Sequence, residues 1–327
     1  MDNIFIIGNG FDLAHGLKTS YSDFANNIVN EKLLNNTNFP GIINANVSQQ
    51  KIKERIKIPN IAHTLFENRL FYEFYSSITN GNWSDIEKSY FKKLMELKQP
   101  NSYYKDNPKK LNSDLNSIKE NLIQYLKTQN SQSMALKCYT QLFNTFNEKG
   151  TLILNFNYTN TIKLYETSNS KIINIHGELE NENNKIIFGY AASDEEQSQL
   201  LDMDDNEYLI NIKRLNYNFS LNERNLIDFL ENCGRFEAHV LGHSLGLSDK
   251  QILNTILGSN KLKRINIFHH NDNYFDQTTN IYRILKNSSH KVPILQYPLC
   301  HFAPQKENDE KYYGSFKSYC QNLKNNQ

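Results

Sequence analysis

The opening run Asn3-Ile4-Phe5-Ile6-Ile7, stopped at once by Gly8-Asn9-Gly10, constrains the fold more than any other stretch of the chain. It has no polar alternation, is rich in β-branched residues and ends on glycines, the pattern of a strand buried on both faces. Strands of that kind belong to parallel sheets covered by helices. Further runs share the pattern: Thr151–Phe156, Lys171–Ile175, Lys185–Gly189, Ala238–Gly242, Arg264–Phe268 and Val292–Tyr297. Stretches with helical spacing separate several of them. The expectation is an α/β fold: a Rossmann-like, mostly parallel sheet with helices on both faces.

One region breaks the alternation. From about Ser22 to Lys149 no strand pattern occurs, and Leu115, Ile118, Leu122 and Leu126 recur at helical intervals. Residues 25–148 therefore read as a large helical insertion after the first strand. Residues 1–24 plus 149–327 then form the sheet domain, with a smaller insertion over 191–230. A chain of 327 residues has room for both.

Charge and cysteine usage narrow the function classes. The 36 basic and 35 acidic side chains nearly cancel, so no global field draws the chain to nucleic acid or an anionic membrane, and direct nucleic-acid binding is not expected. No run approaches about eighteen consecutive apolar residues, so no membrane span is expected. The start lacks a basic n-region, which reads as no signal peptide. Cys138, Cys233, Cys300 and Cys320 lie too far apart for a Cys-x-x-Cys zinc half-site. Free thiols of this kind point to a reducing cytoplasm. His269 and His270 are adjacent on a strand and face opposite sides, so no metal site is expected there or elsewhere.

Two loops at predicted strand ends carry chemistry. Gly8-Asn9-Gly10-Phe11-Asp12 follows the first strand, where glycines allow backbone N–H groups to approach an anion. Leu13 stands where a dehydrogenase fingerprint has its third glycine, and there is no Walker lysine. Gly242-His243-Ser244-Leu245-Gly246 matches the Gly-x-Ser-x-Gly pattern of serine esterases, with Asp272 or Asp276 and His301 downstream as triad partners. A nucleophile elbow, however, enters its helix at once. Here Ser248 with Gln251 reads as a capping box and Leu247 with Ile252 as a hydrophobic staple, starting the helix at about residue 249. Ser244 is better read as a hydroxyl donor on an extended loop, where open α/β sheets bind ligands.

Taken in order, five blocks carry a family resemblance: IIGNGFDLAHGLKTSYSDF, Trp83-Ser84-Asp85-Ile86-Glu87, LNFNYTNTIKLYE, INIHGELE and VLGHSLGLSD. They resemble the recurring blocks of the bacteriophage abortive-infection AbiH family. More distantly, Gly8-Asn9-Gly10, Asn157-Tyr158-Thr159, His176-Gly177 and Gly242-His243-Ser244 resemble the loop series of sirtuin-like NAD-binding domains. The resemblance implies a sirtuin-like Rossmann sheet, NAD as substrate, and antiphage defence by depletion of NAD. Asn157 and His176 become the catalytic candidates: the amide positions water and nicotinamide, and the imidazole acts as general base. Gly8, Asn9, Gly10, Phe11, Asp12, Gly242, His243 and Ser244 become the nucleotide-binding candidates. Asp12 has two open tasks, contacting ribose or ordering its loop.

The chemistry suits such residues. Cleavage of the nicotinamide–ribose bond expels a group that leaves neutral, so no general acid is required, and the transition state is oxocarbenium-like. A general base contributes about 10²–10⁴-fold. Expected partners are NAD or a related nucleotide, a phage-derived trigger and further copies of the chain. Three departures stand out. Thr159 replaces the aspartate of the sirtuin-like block, Asn9 and Asp12 replace small residues, and the zinc cysteines of the deacylases are absent, which argues against deacylation. The alternatives are a non-catalytic nucleotide sensor and a serine esterase built on Ser244.

Overall fold

The apolar run at the start forms β1 (Asp2–Ile7) because both of its faces are apolar. Ile4 and Ile6 join one buried cluster, while Phe5 and Ile7 join another. The computed structural model describes residues 2–35, 66–76, 83–129, 134–146, 150–191, 193–270, 273–286, 294–295 and 302–325. The other strands are β2 (Thr151–Asn155), β3 (Ser170–Asn174), β4 (Phe236–Leu241), β5 (Leu262–Phe268) and β6 (Ile294–Leu295). Their order is β3-β2-β1-β4-β5-β6, and every pair is parallel.

Helices cover both faces. Leu226 and Leu230 of helix Asn222–Asn232, Ile252 and Ile256 of helix Lys250–Leu257, and Ile281 of helix Tyr274–Ile284 pack with Ile4, Leu152, Val240 and Ile265. On the other face, Tyr139, Leu142 and Phe143 of helix Lys137–Thr145 and Phe316 of helix Asp309–Asn325 pack with Phe5, Ile153 and Phe268. The sheet is Rossmann-like, as the buried runs require.

One expected strand is absent. Lys185–Gly189 forms no strand: the Ile187 N–H donates to the His176 carbonyl at 2.8 Å, and Tyr190 makes only an isolated bridge to Ile212. Ile186, Ile187 and Phe188 are nonetheless buried, so their apolar character reflects packing of a folded-back loop. Of Val292–Tyr297, only Ile294 and Leu295 are described.

The chain divides into two compact units. The first, residues 1–17, 129–187 and 217–327, holds the sheet; the second comprises residues 18–128 and 188–216. Residues 129–148 and 217–230, which the sequence pattern assigns to insertions, thus belong to the sheet unit. The second unit is helical, with Tyr21–Asn35, Arg69–Ser76, Trp83–Met95 and most of Pro108–Gln129. In the last of these Leu111, Leu115, Ile118, Leu122 and Leu126 are buried, which is the stripe the spacing predicts. Segment 188–216 is tied to these helices by the buried ion pair Lys213–Glu87, 2.9 Å between Nζ and Oε1. Asn211 adds to the tie, its Nδ2 donating to Tyr90 Oη at 3.2 Å and Asn112 Oδ1 at 3.1 Å. No helix among the described residues is long and apolar enough to cross a membrane.

Candidate functional site

In a sheet of this order the connections reverse direction between β1 and β4, and the loops leaving those strands open a crevice. The loop after β1 is Gly8, followed by helix Asn9–Ala14; the loop after β4 is Gly242–Gly246, followed by a 3-10 turn Leu247–Asp249. The two loops lie against each other. Gly8 N–H donates to Leu241 O at 3.0 Å and Gly10 N–H to Gly242 O at 2.8 Å. Gly242 has φ of +67°, and a Cβ there would fall 2.1 Å from Phe11 N. A Cβ on Gly8 would fall 2.5 Å from His243 Cα. These glycines are therefore required by close approach of backbone to backbone. The amides of Gly10 and Phe11 are engaged within the protein, the latter on Gly8 O at 2.9 Å. The Phe11 ring packs among Tyr139, Phe143 and Tyr165 in the core.

The loop after β2 is held from both sides. Asn155, at the end of the strand, accepts from Asn157 N–H at 3.1 Å and donates to Asn174 Oδ1 on β3 at 2.9 Å. The Asn157 amide then reaches the first loop, Nδ2 donating to Gly8 O at 3.0 Å. Two residues later, Thr159 Oγ1 donates to Asp12 Oδ2 at 2.5 Å. Asp12 is 1% exposed, and its Oδ1 has no hydrogen-bond partner among the described residues. Burial pushes its carboxyl up to about 6, against the opposing pull of Thr159, Thr161 and Asn157.

The loop after β3 delivers His176, buried, with Nε2 3.1 Å from Asp249 Oδ1. His243 approaches the other oxygen, 3.6 Å from Nε2 to Oδ2. Its Nδ1 accepts from Leu245 N–H at 2.9 Å, which places the His243 proton on Nε2, toward the carboxylate. The Phe156 ring stands edge-on to both imidazoles, at 5.2 Å from His176 and 4.3 Å from His243. Leu245 is fully buried yet has φ of +55°, a conformation a leucine adopts only when its surroundings impose it. Helix Tyr274–Ile284 supplies two of those surroundings: Gln277 Nε2 donates to His243 O at 2.9 Å and Asn280 Nδ2 to Ser244 O at 3.2 Å.

The expected site residues thus meet in one region, with Asn9 opening the first helix of that loop. Ser244 is exposed on an extended loop, and the following α-helix begins only at Lys250. Of its triad partners, Asp276 is exposed, while Asp272 and His301 lie outside the described residues. The helix starts beside the expected residue 249, but no side-chain cap bond forms there. Ser248 Oγ donates to its neighbour Asp249 Oδ2 at 3.4 Å and Gln251 Nε2 to Glu223 Oε1 at 3.0 Å, so neither side chain makes the reciprocal cap bond. Sequence reasoning missed Asn155, Thr161 and above all Asp249. The last sits in a short Leu-Ser-Asp stretch that a helix start explains, and its site signal is only its place in the final family block. Among the described residues no group of three or more His, Cys, Asp or Glu is placed to hold a metal ion. A recess of about 670 Å³ lined by Leu230, Asn254, Gly258 and Lys261 belongs to residues that precede β4 and β5, away from these loops.

A family model described as bacteriophage abortive infection AbiH matches residues 4–270, which span all four loops. No curated protein matches the chain.

Proposed function

Because the chain belongs to the bacteriophage abortive infection AbiH family, we propose that its part in that defence is hydrolysis of NAD+ to nicotinamide and ADP-ribose in the crevice between β1 and β4. The observation that carries this reading is the convergence of four loops from distant parts of the chain. Asn157 bonds Gly8, Thr159 bonds Asp12, and His176 and His243 share Asp249. Buried polar groups gathered at the carboxyl ends of parallel strands, where the strand order reverses, suit a dinucleotide.

His176 is the general base, and Asp249 holds its imidazole and stabilises the imidazolium formed when it takes a proton from water. Asn157 uses its amide nitrogen to fix the first loop, leaving its carbonyl oxygen to accept from water or a carboxamide. His243 and the backbone around Gly242 and Ser244 border the nucleotide, with Asn9 on the facing loop.

The test is release of free nicotinamide from NAD+ by purified protein, with and without lysate from phage-infected cells. Release is expected, with loss in His176→Gln. No release by the wild-type chain under either condition would sink the hydrolase reading. A second reading, a nucleotide sensor without chemistry, draws on the same Asn157–Gly8 bond, which makes the asparagine a loop tie. Under it, His176→Gln leaves phage protection intact.

A further inference from the structure

Hydrolysis through His176 and Asn157 gives the Asp12 charge no chemical part beyond its bond to Thr159, yet its carboxyl is among the most deeply buried polar groups of the sheet unit. Oδ2 accepts from Thr159, Oδ1 accepts from nothing among the described residues, and the groups that act on its charge are the side chains of Thr159, Thr161 and Asn157. All are neutral. With the carboxyl pushed up only to about 6, most of it is ionised at neutral pH. A buried carboxylate held by hydroxyls and an amide, with no cation beside it among the described residues, is unfavourable for folding alone. Its position at the switch point, against the residue that fixes the first loop, supplies the missing partner: a ligand that brings positive charge into the crevice.

We propose that Asp12 is the counter-charge for a cationic heterocycle, so that the site takes the oxidised pyridinium form of a nicotinamide dinucleotide in preference to the neutral dihydropyridine. The inference rests on the dinucleotide reading and adds the charge of the ligand to it. Two of the positions at which the chain departs from the sirtuin-like series, Asp12 and Thr159, are bonded to each other, which sets the carboxylate of the helix after β1 against the loop after β2.

Positive charge moves within the ligand as the reaction proceeds. The bond from ribose C1′ to the ring nitrogen breaks with its electron pair going to nitrogen, which neutralises the ring. Positive charge passes to C1′ and the ring oxygen, the water oxygen bonds C1′, and its proton goes to His176. A fixed anion thus faces a cation in both the bound state and the transition state, which favours binding of the oxidised form and does not by itself lower the barrier from the bound state.

Calorimetric titration of the full chain with NAD+, NADH and ADP-ribose at pH 8 tests this, in a His176→Gln background that stops turnover. Expected is a preference for NAD+ over NADH of about tenfold or more. Asp12→Asn should abolish it by weakening NAD+ alone, and Thr159→Val, which keeps the carboxylate, should retain it. Equal affinities for NAD+ and NADH before substitution overturn the counter-charge while leaving the dinucleotide reading standing, and that outcome needs no folded Asp12→Asn variant. Retention of the preference in Asp12→Asn also overturns it. Failure of all three ligands to bind overturns both.

Discussion

Asp12→Asn should make the folded chain more stable at neutral pH, although it alters a fully buried residue. Burial raises the carboxyl from 3.8 to about 6. At about 1.4 kcal/mol per pH unit, keeping the charged form inside the fold costs about 3 kcal/mol above that pH. Between 3.8 and about 6 the folded chain retains a proton that the unfolded chain has lost. Stability from this residue is therefore greatest in acid, falls as pH rises through that window, and levels off above it. Asparagine keeps an oxygen for the Thr159 hydroxyl and has no proton to lose. The variant and the parent should be nearly equal at pH 4 and differ by about 3 kcal/mol at pH 8, in favour of the variant. Urea unfolding followed by far-ultraviolet circular dichroism from pH 4 to 8 measures the difference, and titrations common to both proteins cancel. A variant less stable than the parent at pH 8, or a difference that does not grow with pH, refutes the assignment of an uncompensated buried charge.

Other consequences can be measured on the same protein. Gly242→Ala places a Cβ 2.1 Å from Phe11 N at φ of +67°; it should lose about 2–5 kcal/mol in urea unfolding, and an unchanged midpoint would contradict the loop packing. His176→Gln should lower nicotinamide release by about 10²–10⁴-fold with dinucleotide affinity retained, as read by turnover and calorimetry together. Asp249→Asn should lower kcat by about tenfold or more with little change in KM, because the carboxylate acts through an imidazole. Ser244→Ala should leave turnover within about threefold and the parent chain should take no fluorophosphonate label; labelling at Ser244 would revive the esterase reading.

The sheet is legible in the sequence because burial on both faces removes polar residues from a strand, as in Ile4–Ile7 and Leu152–Leu154. The same logic misreads Lys185–Gly189, whose apolar residues are buried beneath a loop; composition records burial and not the hydrogen-bond ladder. Ser248 and Gln251 fail as a capping box because Asp249 and Glu223 offer their side chains better partners. At the site, the strand-end loops can be found from their glycines. Their contacts cannot: that Gly10 meets Gly242, or that Asp249 lies between His176 and His243, depends on which strands are neighbours. Asp249 carries too little local pattern to be noticed without that strand order.

Buried carboxylates are not treated alike in the sheet unit. On β4 and β5, buried Glu237 is paired with Arg264 at 3.1 Å and accepts from Asn266 at 3.1 Å, while His239 Nε2 donates to Asn3 Oδ1 at 3.1 Å. The Glu237 charge is thus neutralised within the fold. In the crevice the pattern reverses: Asp12 is buried with no cation beside it among the described residues, and Leu245 is held at φ of +55°. Each lowers stability by about 1–3 kcal/mol where no ligand compensates. A fold that satisfies Glu237 a few residues along β4 has the means to satisfy Asp12 as well. That it leaves one oxygen of the carboxylate without a partner among the described residues, at the point where the strand order reverses, is the physical reason to look for a cationic ligand there.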